Sequence, residues 1–372
     1  MTTSCDRSEG GKRDRISYRY NPFEIAVWGP FGPERGALAA HLAFHLSSQY
    51  RVGQVLERDS GMHPDSVELM GVTLIRGDGQ HGYMYPEAMD AMVKPHALLD
   101  VDLLIVETEE DLPMAKVVLM GDGSAPDLSQ VLCYAAPKEA CPILPPTANF
   151  FVTDDSVAIA SYVSEYLYKC ADETPLLGLV LAGGLSTRMQ RDKATLVYHG
   201  KPQAIHTAEL LRRFCDDVFL SSRPDQADDP VLAELPQIHD RFVGFGPLGG
   251  ILSAMKEYPT AAWLVAACDL PFMTEATLQT LLEARNPYKL ATAFRSARDG
   301  FPEPLCAIYE PKSIFRLLHF LAMGYHCPRK VLINSDTNLI EPVNETELAN
   351  INYPEEYKAA VETIVGRQED IS

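Results

Sequence analysis

From residue 23 to the end, short apolar runs alternate with longer stretches of helical periodicity. In the first half the runs are FEIAVWG (23–29), RVGQVLE (51–57), VDLLIVE (101–107), KVVLM (116–120), QVLCYAA (130–136) and NFFVTD (149–154). They are nearly continuous rather than alternating, as expected of strands buried on both faces, and strands interleaved with helices predict parallel sheets. Helical patterns lie near 34–48, 86–97 and 155–169; the last places Val157, Ala160, Val163 and Leu167 on one stripe. The polar segment CADETPL (170–176) interrupts this order, and the second half repeats it. It reads as strand 176–182, helix 202–214, strand 217–223, a helix near 248–257, strand 261–270, helix 274–285 and strand 289–294. The pattern predicts two α/β domains, 21–172 and 176–372, each a three-layer sandwich around a mostly parallel sheet. The polar stretch 1–20 reads as a disordered tail, with no apolar run for a signal peptide or a membrane span.

Charge narrows the partners. The chain of 372 residues carries 32 Lys+Arg against 51 Asp+Glu, a net charge of -19. That argues against a nucleic-acid or anionic-membrane binder, because both require a basic face. A small anion remains open to a local basic cluster. Residues 21–174 hold 8 Lys+Arg against 23 Asp+Glu, whereas residues 175–372 hold 19 against 25. The acidity therefore sits mainly in the first domain. Eight cysteines are scattered without a Cys-x-x-Cys pair, the usage of a cytoplasmic protein.

Three segments of the second half carry candidate chemistry. LAGGLSTRMQRDKA (181–194) follows a strand. Gly183 and Gly184 permit close backbone approach, Ser186 and Thr187 add hydroxyl donors, and Arg188 and Lys193 supply two cations suited to a triphosphate. A plain glycine turn with a solvated basic loop is the bland alternative. CDLP (268–271) closes the strand 261–270, where open α/β sheets bind ligands. Asp269 there suits Mg²⁺ bridging phosphates; otherwise it caps the next helix, a task Thr274 could perform alone. HDRFVGFGPLGGILSAM (239–255) packs four glycines into residues 244–250 and reads as a loop approaching a ligand, or as a flexible connector.

These segments, with NINYPEE (350–356), resemble the molybdenum cofactor guanylyltransferases within the nucleotide-diphospho-sugar transferase-like fold. The resemblance spans almost all of 176–360. It implies that Leu181, Ala182 and Gly183 contact a guanine nucleotide, beside the candidate contacts Gly184 and Ser186, that Lys193 holds its phosphates, that Asp240 lines the same site and that Asp269 binds Mg²⁺. Arg188, Lys193 and Asp269 would stabilise the reaction, in which the phosphate of molybdopterin attacks the α-phosphorus of GTP and pyrophosphate leaves. Asn350 and Asn352 match the terminal motif. Gln190 and Tyr353 depart from the family pattern, and no residue of FLSSR (219–223) clearly matches the family's Asn after the second strand; Ser221 or Ser222 stands there. Arg329 and Lys330 could touch the anionic pterin or be a surface pair. The double glycine favours guanylyl transfer over cytidylyl transfer. A non-catalytic scaffold of cofactor biosynthesis is the reading from another class.

The first half opens with a strand, a Gly-rich loop and a helix, the layout of a phosphate loop. Its key positions, Gly32, Glu34, Arg35 and Gly36, lack the Lys and hydroxyl that the loop requires, leaving Arg35 as the sole replacement. Residues 22–169 resemble the molybdopterin-guanine dinucleotide biosynthesis adaptor, a P-loop fold. The changed loop and the acidity point to a domain that docks a protein partner or the transferase rather than hydrolysing GTP. His41 and His45 read as helix-surface histidines, and ETEED (107–111) as a solvated loop.

Overall fold

A computed structural model describes residues 23–30, 32–56, 69–76, 79–86, 101–182, 192–223 and 232–369. Two large sheets are present. From edge to edge the first runs Phe150–Val152, Val131–Ala136, Ala115–Leu119, Phe23–Trp28, Leu103–Thr108, Val52–Leu56, Leu69–Arg76 and Gly79–Pro86. Its first six strands are parallel. The last two form an antiparallel hairpin that the apolar pattern did not announce. The helix expected near 86–97 falls outside the described residues, apart from Pro86, which ends the hairpin.

Helices Pro33–Leu46 and Ser156–Asp172 cover one face of this sheet. Leu38, Leu42, Ile159, Val163 and Leu167 pack there with Ile25, Leu103 and Val117. The expected stripe is rotated: Val157 is exposed, and Ile159 is buried in its place. Val118, Tyr134 and Ala136 on the opposite face are covered by loop residues such as Leu128 and Leu144. Among the described residues this unit therefore has helices on one face only, rather than a full three-layer sandwich.

The second sheet runs Gln237–His239, Val218–Ser222, Leu176–Leu181, Ala262–Ala267, Pro302–Tyr309, Ala291–Arg295 and Thr337–Ile340. All pairs are parallel except those of Pro302–Tyr309. Leu176–Leu181 and Ala262–Ala267 are buried throughout, as their unbroken apolar runs require. Helices Gln203–Leu211 and Glu275–Glu283 pack on one face, and Pro247–Glu257, Ser313–Ala322 and Pro328–Ile333 on the other, which completes three layers. The C-terminal helix Pro354–Glu369 folds back, and its Ala360 and Ile364 bury Leu196 and Tyr198.

The two sheets meet by their amino edges. Tyr288, just before the strand Ala291–Arg295, belongs to the core of the first half; its ring lies 4.7 Å from Tyr50 and 5.2 Å from Phe23. Asp102 precedes Leu103, and Lys312 follows the antiparallel strand, so both lie on this edge. Their charges pair at 3.0 Å, and Lys312 also donates to the Tyr288 carbonyl. Arg51 donates to Asp102 at 2.7 Å and to Asp336 at 2.8 Å, and Lys289 joins Asp336 at 2.9 Å. Because the parallel strands of each sheet share one direction, their carboxyl ends face away from this junction.

Candidate active site

Parallel strands bring their carboxyl ends to one edge, so residues distant in sequence converge there. Lys193 sits on a single 3-10 turn, Lys193–Thr195, capped by Asp192, whose carboxylate accepts the Ala194 amide at 3.0 Å. Its ammonium lies 3.3 Å from Asp269 Oδ2 and donates to Asn352 Oδ1 at 2.7 Å. The Ile351 amide donates to the Asp269 carbonyl at 2.9 Å, which straps the C-terminal segment across the end of the strand Ala262–Ala267. Three segments of the second half, 76 and 83 residues apart, thus place a cation, a carboxylate and an amide in one cluster.

Asp269 does not cap the following helix. Thr274 does: its hydroxyl accepts the Thr277 amide, and the Thr277 hydroxyl accepts the Thr274 amide, a reciprocal capping box. Asp269 is left with a buried Oδ1 that has no hydrogen-bond partner among the described residues. A buried carboxylate oxygen without a donor is costly unless a cation or a ligand satisfies it, and a hard oxygen is the donor type that Mg²⁺ takes. Among the described residues no group of three or more His, Cys, Asp and Glu could hold a metal. A lone carboxylate fits an ion whose other ligands are phosphates and water. Burial pushes the neighbouring Cys268 thiol up, which keeps it protonated and no nucleophile.

Asp240 closes the strand Gln237–His239 on the same edge. Ser221 Oγ donates to its Oδ1 at 2.8 Å. Burial pushes the Asp240 carboxyl above the usual carboxylate range, against the pull of that donor. The glycine-rich segment is only partly the expected loop. Gly244 and Gly246 turn through left-handed φ values of 88° and 55°. Gly249 and Gly250 instead lie in the helix Pro247–Glu257, where a Cβ on Gly250 would fall 2.4 Å from Ser221 Oγ. That helix can approach the sheet only without a side chain at this position.

Leu181 and Ala182 are buried. The Leu181 carbonyl accepts the Cys268 amide, and the Ala182 amide donates to the Ser221 carbonyl, so these groups serve the sheet. Gly183, Gly184, Ser186 and Arg188 lie outside the described residues. Asn350 is exposed beside the strap, and Glu356 accepts the amides of Asn352 and Tyr353 at 2.7 and 3.1 Å, which ties the strap to the final helix. Arg329 is committed to Asp299 at 3.0 Å and Glu303 at 2.7 Å, and Lys330 lies over the Tyr325 ring. Sequence reading left Ser221 without a role because a serine announces none; only the pairing of the strands Val218–Ser222 and Gln237–His239 brings it to Asp240.

In the first half, Arg35 does not replace a phosphate-binding lysine. It is buried, donates to the Gly29 carbonyl at 2.8 Å and lies 3.7 Å from Glu107, so it braces its own loop. ETEED is not wholly a solvated loop either: Glu107 and Thr108 end a strand and are buried, and Gln54 donates to Glu107 at 2.9 Å. His45 contacts Ser156 at 3.2 Å.

An open, largely parallel sheet with a lysine and, among the described residues, an unsatisfied carboxylate at its carboxyl edge is the arrangement expected of a nucleotide-binding enzyme. Residues 178–337 match the family model of the MobA-like NTP transferase domain. A molybdenum cofactor guanylyltransferase of Pseudomonas entomophila is 30% identical over 181 residues, 48% of this chain and 93% of the relative. The chain belongs to this family. A molybdenum cofactor biosynthesis bifunctional protein of Synechocystis is 42% identical over 185 residues, 50% of this chain; the match spans about half (53%) of that relative's length. The crystal structure of molybdopterin-guanine dinucleotide biosynthesis protein A from Archaeoglobus fulgidus is 23% identical over 51% of this chain and 99% of that one, with a TM-score of 0.44.

Proposed function

We propose that this protein transfers GMP from GTP to molybdopterin and releases pyrophosphate. The observation that carries the reading is the meeting of Lys193, Asp269 and Asn352 at the carboxyl edge. A phosphate oxygen of molybdopterin forms a bond to the α-phosphorus. The bond from that phosphorus to the α–β bridging oxygen breaks, and the electron pair leaves with pyrophosphate. The nucleophile is already an anion at neutral pH, so the reaction needs positioning and charge neutralisation rather than an activated side chain. Lys193, held by Asn352 and Asp269, supplies a fixed cation, and Arg188 a second. Leu181, Ala182, Gly183, Gly184, Ser186 and Asp240 line the nucleotide. Asp269 is the residue that holds Mg²⁺ in this reading; when bound, the ion neutralises phosphate charge.

The first half, residues 21–172, retains the P-loop adaptor layout without phosphate binding and serves in protein docking. Support comes from the burial of Arg35 and from the placement of that half's carboxyl edge away from the transferase site. The reaction belongs to the cytoplasm.

The test is pyrophosphate release by the full chain with GTP, molybdopterin and Mg²⁺. Asp269→Ala is expected to lower kcat by about a thousandfold while leaving the fold intact. Release at the wild-type rate by that variant overturns the reading. CTP substituted at equal efficiency selects cytidylyl transfer instead.

A further inference from the structure

Ser221 is the second residue from the end of its strand and is 1% exposed. Its hydroxyl points to the residue just past the end of the neighbouring strand Gln237–His239 and donates to Asp240 Oδ1 at 2.8 Å. The helix Pro247–Glu257 closes over this pair. Gly250 leaves the hydroxyl its space, and Gly249 lies so close to the chain that a Cβ would meet the Phe242 carbonyl at 2.2 Å. The adjacent Ser222 is spent differently, on Gln237 at 2.7 Å and His239 at 3.0 Å. One serine of the pair therefore holds the strand edge, and the other holds a carboxylate at the site.

We infer that Ser221 is the positioning residue for Asp240: it holds one carboxylate oxygen by a buried hydroxyl and so orients the other toward the donor groups of the nucleoside. This rests on the placement of Asp240 in the nucleotide site proposed above. A carboxylate is an acceptor only, so what it can bind in a nucleotide is an N–H or O–H of the base or ribose, never the phosphates. A carboxylate half in water swings between rotamers; a buried donor on one oxygen removes that freedom before the nucleotide arrives. The same donor favours the ionised form that burial opposes. Arg223, beyond the end of the Ser221 strand, and His239, beside Asp240, also favour it, and the covering helix contributes Gly250, which has no charge. The charged end of the adjacent Arg241 is directed to Glu257.

The test is a double-mutant cycle in the full chain, with GTP as the varied substrate. Ser221→Ala is expected to raise KM for GTP about ten- to a hundredfold, the loss of one hydrogen bond to a charged group, with kcat within twofold. The acid limb of kcat/KM should move to higher pH, because Asp240 without its donor takes up a proton more readily. In an Asp240→Asn background, Ser221→Ala should change KM by less than twofold, since the group it acts through is gone. An equal KM increase in both backgrounds, or no increase in either, overturns the inference. If Asp240→Asn itself leaves KM for GTP unchanged, the placement of Asp240 in the nucleotide site fails, and the role of Ser221 with it. That outcome is distinct from an effect of Asp240→Asn that Ser221→Ala does not share.

Discussion

Two clusters of charge lie at opposite edges of the second sheet, and one carboxylate of each, Asp102 and Asp240, is shifted in the opposite sense. At the amino edge, Asp102 is 4% exposed, yet Arg51 and Lys312 overcome the burial that would raise its pKa and hold it below the usual range. At the carboxyl edge, burial prevails over the Ser221 donor and Asp240 is raised, while Asp269 keeps a buried oxygen without a partner among the described residues. The junction satisfies its charges internally and so contributes stability. The other edge leaves charge unsatisfied for a ligand to complete, the usual cost of a functional site.

Substitutions can break this contrast. The largest effect is expected from Asp102→Ala, which strands the buried Lys312 ammonium without its nearest carboxylate. Such an orphaned charge costs about 3–5 kcal/mol, measurable by denaturant unfolding, with transferase activity per folded molecule retained. Loss of activity at full occupancy of the folded state would show that the two edges are coupled. In the wild type, the folded pKa of Asp102 is depressed, so its contribution is present at neutral pH and is lost as pH falls through and below the carboxylate range.

Gly250→Ala is next. Its Cβ would overlap Ser221 Oγ and meet Leu181 Cδ2 at 3.0 Å. Overpacking of this kind costs about 1–3 kcal/mol, and here GTP affinity should fall with stability, because the displaced hydroxyl is the one on Asp240. Thr274→Ala removes the helix cap and should cost about 1 kcal/mol in thermal or chemical unfolding. Transferase activity should persist, which would separate Thr274 from Asp269, five residues earlier. The smallest effect is that of Asp240→Asn on stability. Its raised pKa means that ionisation opposes folding at neutral pH, so the variant should match or slightly exceed the wild type in Tm even as KM for GTP rises.

Much of the second half was legible in the sequence because its signals are local. The unbroken runs at 176–182 and 261–270 are buried strands, and the Thr274 cap could be read from neighbouring residues, though not its reciprocal partner Thr277. Lys193 and Asp269 could be chosen as chemistry from strand context alone. Less of the first half was legible. The hairpin formed by Leu69–Arg76 and Gly79–Pro86 is too mixed in polarity to show a period, and the stripe of Ser156–Asp172 reads with Val157 in place of Ile159, two positions on, because the two are equally apolar. Glu107 reads as solvated and Arg35 as a phosphate ligand, because a lone charge in a sequence carries no sign of the partner that buries it.

The sequence by itself determined the alternation of strands and helices, the family, and the residue types proposed to meet phosphate and metal, because each depends on neighbours within a few positions. Tertiary structure alone decided that Ser221 serves Asp240, that Asn352 steadies Lys193 across 159 residues, and that the two halves join by their amino edges. Those contacts follow from the order and direction of strands in the sheets, and strand order is set by the packing of the whole chain rather than by any segment of it.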